Sequence, residues 1–437
     1  MPPILSFDPT PELYVPFYEG ETVSIGASGK EMIGEKGDAL VRSVCELVEN
    51  RIRVLIAYGG GKQIDDLYET RYGKKRQKIN GVAVTDADVL TCAIDVCDQL
   101  QRQLMQRLQQ ALPQGFDVDV IQPEEVVCRY MDFDRRGYVG EPIRIEHDIT
   151  APVTLVGFNG FVGKQRANVN KDDIALNTAD RMVENFLATE TGGVKETFDP
   201  AHPEAGKTVP VLFADEIDEQ GTHPRYPLSD GMQKKALNAK RMAALSRTVI
   251  TSGGDIPKEM FSVDGKGTLV VDRSKLVASR PTAKEKRIVE YVIRAYERAD
   301  KFRPRSQKDL SLALNHHLVL REHTPLAGCS LIPDPDGSME LATLWSGYNG
   351  MGKILADRAK DRFLATQTCD ILYALGGGSK PDEEEAAIQR FTRYGFRDLG
   401  KLSDVNPADM PVHLREYPKT RNPHLFLMTR RELANGK

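Results

Sequence analysis

Two glycine clusters are the residues of this chain best suited to chemistry. The stretch "WSGYNGMGKILADRA", residues 345–359, places Gly347, Gly350 and Gly352 ahead of a helix-like run. Glycine lets the backbone approach a ligand closely, and a helix N-terminus offers free N–H groups at its positive end. Together they suit the binding of a phosphate. The second cluster, "AYGGGKQIDDL" (residues 57–67), also opens a helix-like run. In the first, Gly352-Lys353 is followed by Ile354, so the Gly-Lys-Ser/Thr ending of a P-loop is absent. It also follows a run of antiparallel-looking strands, whereas a dinucleotide fingerprint needs an early βαβ unit. Spacing alone leaves a plain glycine-rich turn open.

Other site chemistries find little support. The six cysteines (45, 92, 97, 128, 329 and 369) contain no C-x-x-C pair, which fits buried thiols in a reducing compartment better than disulfides or zinc. His316 and His317 fall in a strand-like run, where neighbours face opposite sides, so no metal site is expected. A net charge of −4 gives no argument for nucleic acid or an anionic membrane. Hydrophobic residues make up 40% and charged residues 28%, the profile of a soluble globular protein. No apolar run reaches the roughly 20 residues of a membrane helix. The start, "MPPILSFDPTPELYV", does not read as a signal peptide, so the expected location is cytoplasmic.

The elements that must position the clusters follow from hydrophobic periodicity. A chain of 437 residues suits two or three domains. Strand 22–27, helix 38–51 and buried strand 52–58 in succession imply a parallel sheet. A long helix is expected over 85–112, an antiparallel strand within 137–148, and one buried strand over 153–161. Segment 167–187 reads as helical, with Asn170 or Asp172 as its cap. After a loop-rich excursion (192–230) come a helix (231–245), a strand, and a closing strand (265–271). Residues 272–287 are polar and proline-punctuated, which marks a boundary. Beyond it the pattern restarts with a helix, a meander over 312–346, the glycine loop with its helix, a strand at 369–375 and a final helix. The expected division is 1–275, a linker at 276–287, and 288–437.

The second domain resembles the GNAT N-acetyltransferases, whose acetyl-CoA loop lies between a strand and a helix. Specifically it resembles the N-acetylglutamate synthase family. "RPRSQKDL" (303–310), "LAGCSL" (326–331), "MELATL" (339–344), the glycine loop, "LYALGGGS" (372–379), "RFTRYGFRDLG" (390–400) and "TRNPHLFLM" (420–428) follow the family order. The insert "KPDEEEAAI" is longer than in the family. The resemblance implies that Leu344, Gly347, Tyr348, Asn349, Gly350, Met351, Gly352 and Lys353 hold acetyl-CoA, with Gly347 where the family has Gln or Arg. It implies Glu340 as general base, Ser379 as the aid to the departing thiolate, and Arg305 and Arg421 as partners of the two carboxylates of L-glutamate. The family's nearby serine is Pro423 here.

The first domain resembles the amino-acid kinase fold, acetylglutamate kinase in particular, through "AYGGGKQIDDL", "INGVAVTDADVL" (79–90), "RRGYVGEPIRI" (135–145) and "ANVNKDDIAL" (167–176). The fold class is therefore α/β, a kinase-like αβα sandwich with a mainly parallel sheet followed by an α+β GNAT domain. Such kinases start with Lys-x-Gly-Gly. This chain has Ser24-Ile25-Gly26-Ala27, so the expected domain is kinase-dead, with only the second family lysine, Lys235. "EMFSVDGKGTLV" (259–270) and "LYVPFYEGETV" (13–23) resemble the L-arginine site of arginine-inhibited relatives. That implies an effector site including Tyr14, Lys235, Glu259, Gly265, Gly267 and Thr268. The resemblance also implies a homo-oligomer, tetramer or hexamer, and metal-free transfer.

Overall fold

The structure is a computed structural model that describes residues 5–79, 82–197, 199, 202, 205–377, 381–416 and 422–434. The chain forms two compact units: Asp8–Lys275, and Leu276–Lys437 with the N-terminal segment through Phe7.

The first unit begins with α1 (Pro11–Tyr18), β1 (Thr22–Ala27), α2 (Gly34–Glu49), β2 (Arg53–Tyr58), α3 (Gly61–Tyr72) and a small hairpin, β3 (Lys78–Ile79) and β4 (Val82–Ala83). It continues with α4 (Ala87–Ala111), β5 (Val118–Ile121), β6 (Val126–Tyr130), α5 (Phe133–Arg136), β7 (Val139–Ile145), β8 (Val153–Val156), β9 (Asn159–Val162), β10 (Gln165–Val169) and α6 (Lys171–Thr178). It closes with β11 (Glu184–Ala188), β12 (Val211–Phe213), α7 (Asp230–Ala243), β13 (Arg247–Thr251), α8 (Ile256–Phe261) and β14 (Thr268–Val271). Eight strands form one sheet in the order β12-β14-β13-β11-β1-β2-β8-β5, parallel except between β13 and β14. This is the mainly parallel sheet expected. Its central strands are buried throughout, which is why they read as continuous apolar runs. Strands β6, β7, β9 and β10 close a small separate barrel.

Two expected elements divide. Residues 153–161 do not form one strand: β8 stays in the sheet and β9 joins the barrel. The chain turns at Gly157, where a Cβ would come within 2.5 Å of Cys97 Sγ and 2.8 Å of the Tyr58 hydroxyl. Segment 167–187 is helical only over α6, capped by Asn170, whose side chain accepts from the Asp172 N–H. Its ends belong to β10 and to the buried strand β11.

The second unit contains β15 (Val277–Ser279), α9 (Ala283–Arg298), α10 (Gln307–Asn315), β16 (His317–Arg321), β17 (Pro325–Pro333), β18 (Ser338–Ser346), α11 (Met351–Ala365), β19 (Ile371–Gly376), α12 (Pro381–Arg393), β20 (Arg397–Lys401), β21 (His424–Thr429) and α13 (Arg430–Ala434). The seven-stranded sheet runs β15-β16-β17-β18-β19-β21-β20. Residues 276–287, expected as a linker, are folded into this unit. β15 pairs with β16, and Thr282 and Glu285 make a reciprocal capping box that starts α9. Residues 312–315, expected as strand, are the last turn of α10, which Ser306 caps.

Candidate active site

The acetyltransferase-like unit opens where two parallel strands part. β18 and β19 pair only at Ser338–Ile371, Met339–Leu372 and Glu340–Tyr373. Beyond Glu340 they diverge, β19 continuing against β21. A cavity of about 810 Å³ fills the region of this gap, lined by Glu340, Leu344, Tyr348, Asn349, Gly350 and Gly352 on one side. Lys301, Arg303, Arg305, Tyr373, Arg390, Arg393 and Pro423 complete much of the wall. Glu340 is half-buried at the point of divergence.

A buried polar network shapes β18 beside this gap. The β17–β18 register shifts between Gly328 and Ser330, and Thr343 takes a φ of 49°. A β-branched residue in the left-handed region costs on the order of 1–3 kcal/mol and needs support. Ser330 Oγ donates to the Ala313 carbonyl at 3.0 Å, which uses its single proton. It therefore accepts from the Thr343 hydroxyl at 2.8 Å and from His317 Nδ1–H at 2.9 Å. The Trp345 indole N–H donates to His317 Nε2 at 3.3 Å, completing the assignment of a neutral tautomer. Burial, and then the Arg305 charge, push His317 down to about 3, so it stays neutral. Gly328 makes room: a Cβ there would meet His317 Nε2 at 2.4 Å. His317 was legible only as half of an unlikely metal pair. Its role is to brace the wall of the cavity.

The expected cofactor residues divide in two. Leu344, Tyr348, Asn349, Gly350 and Gly352 line the cavity. Gly350, at φ 99°, is the N-cap of α11 and provides no side-chain cap, and the Met351 N–H donates to the Tyr348 carbonyl at 3.3 Å within the loop. Gly347, Met351 and Lys353 do not line it. The Gly347 N–H donates to the Leu326 carbonyl at 3.0 Å, Met351 is fully buried, and Lys353 pairs with Asp357 at 2.8 Å.

Arg305 reaches the cavity from the segment between α9 and α10. Its backbone N–H donates to Glu297 Oε1 at 3.1 Å, and its guanidinium lies 3.6 Å from the same carboxylate. Burial lowers its pKa against the opposing charges of Glu340 and Glu297. Tyr373 donates to Asp334 Oδ2 at 2.9 Å, and burial, then Glu340 and Asp334, push its phenol far up. Ser379 and Arg421 lie outside the described residues.

In the kinase-like unit, Ser24 Oγ is committed to Asn185 Oδ1 at 2.6 Å. A lysine at the start of α6 reaches the same strand. The buried Lys171 ammonium donates to the Gly26 carbonyl at 3.3 Å and to Asp172, with Lys235 3.7 Å from the same carboxylate. Burial would raise the Asp172 carboxyl, but Lys171 and then Lys235 hold it well below the usual range. Burial pushes Lys235 down to about 8. Lys171 was not among the expected residues, and nothing in "NVNKDD" announces where its amine ends. Beside it, Gly59–Gly61, Arg76 and Lys171 border a cavity of about 400 Å³.

The expected effector residues also separate. Lys235 belongs to the Asp172 group. Glu259 is fully buried, and its Oε1 accepts from Lys266 N–H, Gly267 N–H and the Thr251 hydroxyl at 2.9, 2.7 and 3.1 Å. Its Oε2 has no hydrogen-bond partner among the described residues. Burial raises this carboxyl to about 7. Thr268 Oγ1 accepts from the Val194 N–H at 2.8 Å. The helix carrying Tyr14 packs on α8, where the Thr10 N–H donates to the Phe261 carbonyl at 2.7 Å. Gly265 lies in the turn between α8 and β14.

No family model matches the chain. It is 26% identical over 271 residues to the acetylglutamate kinase of Lactococcus lactis subsp. cremoris (strain SK11), covering 58% of this chain and 92% of that protein. It is 23% identical over 377 residues to the amino-acid acetyltransferase of Escherichia fergusonii, covering 79% and 83%. N-acetylglutamate synthase from Neisseria gonorrhoeae, complexed with coenzyme A and L-arginine, matches at a TM-score of 0.61 and 17% identity over 96% of this chain and 98% of that one. The same enzyme with coenzyme A and N-acetyl-glutamate matches at 0.55, also 17% identical, over 95% and 96%. The chain has the fold of N-acetylglutamate synthase. A kinase-like unit followed by an acetyltransferase-like unit is thus the architecture observed, as the sequence motifs led us to expect. Among the described residues no group of carboxylate, histidine and cysteine side chains suited to a metal was found, and no helix is long and apolar enough to cross a membrane.

Proposed function

We propose that the chain is an acetyl-CoA:L-glutamate N-acetyltransferase, carrying out the first step of arginine synthesis, and that arginine regulates it through the kinase-like domain. The observation that carries this reading is the placement of Glu340. It sits where β18 and β19 part, in one cavity with the glycine loop that opens α11 and with Arg305.

The substrate amine arrives as an ammonium and must lose a proton before it can attack a thioester. Glu340 accepts that proton. The amine nitrogen then bonds to the acetyl carbonyl carbon, the C–S bond breaks with its electron pair leaving on the thiolate, and the second proton lost by the nitrogen balances the one the thiolate takes up. The positive N-terminal end of α11, which has no side-chain cap, suits the diphosphate of the cosubstrate, in keeping with the family role of this loop. Arg305 supplies a planar cation for the side-chain carboxylate of glutamate. We assign the proton taken up by the thiolate to Ser379, and the α-carboxylate to Arg421, on the family pattern.

The kinase-like domain is read as regulatory. Ser24 carries no charge, and the nearby Lys171 is held by the Gly26 carbonyl and by Asp172. The unsatisfied Glu259 Oε2 is the natural partner for the guanidinium of arginine. We also infer a homo-oligomer, a tetramer or hexamer built on the kinase-like domains, which light scattering would measure.

The test is an acetyl-CoA turnover screen over the standard amino acids, with and without arginine, read as free thiol. Glutamate-dependent thiol release that arginine alters is the expected result. Release with another amino acid in preference to glutamate would overturn the substrate assignment, and no release with any would overturn the activity. ADP formation from ATP and N-acetylglutamate would refute the regulatory reading of the first domain.

A further inference from the structure

The glycine loop lacks one component that a diphosphate requires, a paired cation. Position 347, which carries Gln or Arg in related loops, is glycine here, and its N–H is already used within the sheet. Lys353 is turned to Asp357. Elsewhere in the cavity, Lys301 is paired with Glu383 at 2.5 Å and Arg305 with Glu297. Arg303 also lines the cavity and already interacts with other residues, which leaves two arginines. Arg390 and Arg393 line the same cavity, and among the described residues neither is held by a hydrogen bond or an ion pair.

Their position follows from how α12 packs. Ala387 and Phe391 are its buried residues, with the Phe391 ring stacked 4.6 Å from Phe426 of β21. That face fixes the rotation of the helix and turns Glu383, Ala386, Arg390 and Arg393, spaced by three and four residues, toward the cavity. The acid at the start of this stripe is neutralised by Lys301, so the stripe is cationic toward its C-terminal end. That end lies at the glycine loop, because the Tyr394 hydroxyl sits 2.7 Å from where a Cβ on Gly352 would be. Capping α12 does not require the arginines, since Lys360 already donates to the Tyr394 carbonyl at 3.0 Å.

We infer that Arg390 and Arg393 of α12 bind the diphosphate of coenzyme A across from the N-terminus of α11, taking over the cationic contact that Gly347 cannot make. The inference rests on the coenzyme A reading of this cavity and adds to it which side chains neutralise the ligand. An arginine can meet two phosphate oxygens at once, and such charge-assisted pairs are roughly twice as strong as neutral hydrogen bonds.

Titration calorimetry with coenzyme A and with 3′-dephospho-coenzyme A tests this on the whole chain, in wild type, R390A, R393A, the double alanine variant and R390K/R393K. Each alanine is expected to weaken binding of both ligands by about tenfold, with a smaller salt dependence in the double variant. The lysine pair should retain most of the affinity. Unchanged melting temperatures would exclude loss of fold as the cause. If wild type binds coenzyme A and the double alanine variant binds it as well, the inference is overturned while the cavity reading stands. A loss confined to coenzyme A and absent with the dephospho form also overturns it, because the contact would then be to the 3′-phosphate. If wild type binds neither ligand, the cavity reading itself fails, and this inference with it.

Discussion

Replacing Glu340 with Gln keeps the volume and hydrogen-bonding reach of the side chain but removes its capacity to accept a proton. General-base assistance is worth about 10²–10⁴-fold, or roughly 3–5.5 kcal/mol of barrier. The structure decides where that loss should fall. Glu340 is half-buried at the divergence of two strands that remain paired on its N-terminal side, so the substitution should leave the fold intact. The glycine loop begins beyond Trp345, so coenzyme A affinity should not change. Arg305 lies close enough to feel the Glu340 charge. Neutralising Glu340 leaves Arg305 with only Glu297 as competitor for a substrate carboxylate, so KM for glutamate should stay level or fall. The expected signature is a reduced kcat with neither KM value raised. The assay is thiol release at saturating glutamate and acetyl-CoA from about pH 6 to 9, a range across which amines begin to shed their proton. Without its base the variant depends on amine that is already neutral, so its rate should climb about tenfold per pH unit while wild type levels off. A variant within about threefold of wild-type kcat at neutral pH, or one whose pH profile matches wild type, would refute the assignment.

Three further outcomes are expected. Arg247→Met should destabilise the kinase-like unit by about 3–5 kcal/mol in urea titration, because among the described residues it leaves the buried Glu184 side chain with the Tyr18 hydroxyl, 2.8 Å away, as its partner. A double variant that also carries Glu184→Gln should recover part of that loss. Lys171→Met should cost about 1.5–3 kcal/mol at neutral pH, because Asp172 keeps Lys235 as a partner. The Asp172 carboxyl is depressed in the folded state, so the contribution it makes is complete above the ordinary carboxylate range. The stability difference between wild type and variant should therefore shrink as the solution is made strongly acidic. Glu259 titrates the other way: its raised folded pKa of about 7 means stability falls as pH rises from about 4.5 to 7 and then levels. A guanidinium placed on its Oε2 would draw the proton off, so arginine binding near pH 6 should release up to about one proton. Calorimetry in buffers of different ionisation enthalpy measures that release, and Glu259→Gln should abolish it.

Much of this architecture was legible because each unit's apolar runs are interrupted at the right places. The long helix α4 begins one residue after Asp86, whose side chain accepts from the Val89 N–H, a cap readable from the sequence alone. The glycine loop was legible for a related reason, because a strand, a short glycine-rich turn and a helix are local features, whereas Glu340 was named by its resemblance to the family pattern. What could not be read depends on contacts between distant segments. The apolar run 153–161 gives no sign that Gly157 is pinned between Cys97 and Tyr58 and sends its two halves into different sheets. The His317–Ser330–Thr343 chain joins β16, β17 and β18, and periodicity says nothing about which polar atoms meet across strands. Ser379 and Arg421, named by motif, have no described placement, so the thiolate and α-carboxylate ends of the site rest on resemblance.

The two departures from the family pattern share a physical form. At position 24 a lysine is missing from the glycine-containing strand β1, and at position 347 a Gln or Arg is missing from the glycine loop. In both places a nearby helix carries cations: Lys171 at the start of α6, and Arg390 with Arg393 toward the end of α12. Lys171 is bound to a carbonyl and a carboxylate, and burial leaves it little freedom to meet a ligand. Its charge therefore maintains the fold of a site and has no evident part in chemistry. Among the described residues the two arginines are unpaired, and they line a cavity that also holds the Glu340 carboxylate and a glycine loop. An unpaired cation facing a cavity gains most when an anion fills it, whereas a paired one must first give up its partner. Of the two glycine clusters, the one beside Arg390 and Arg393 is accordingly the one equipped to hold phosphates.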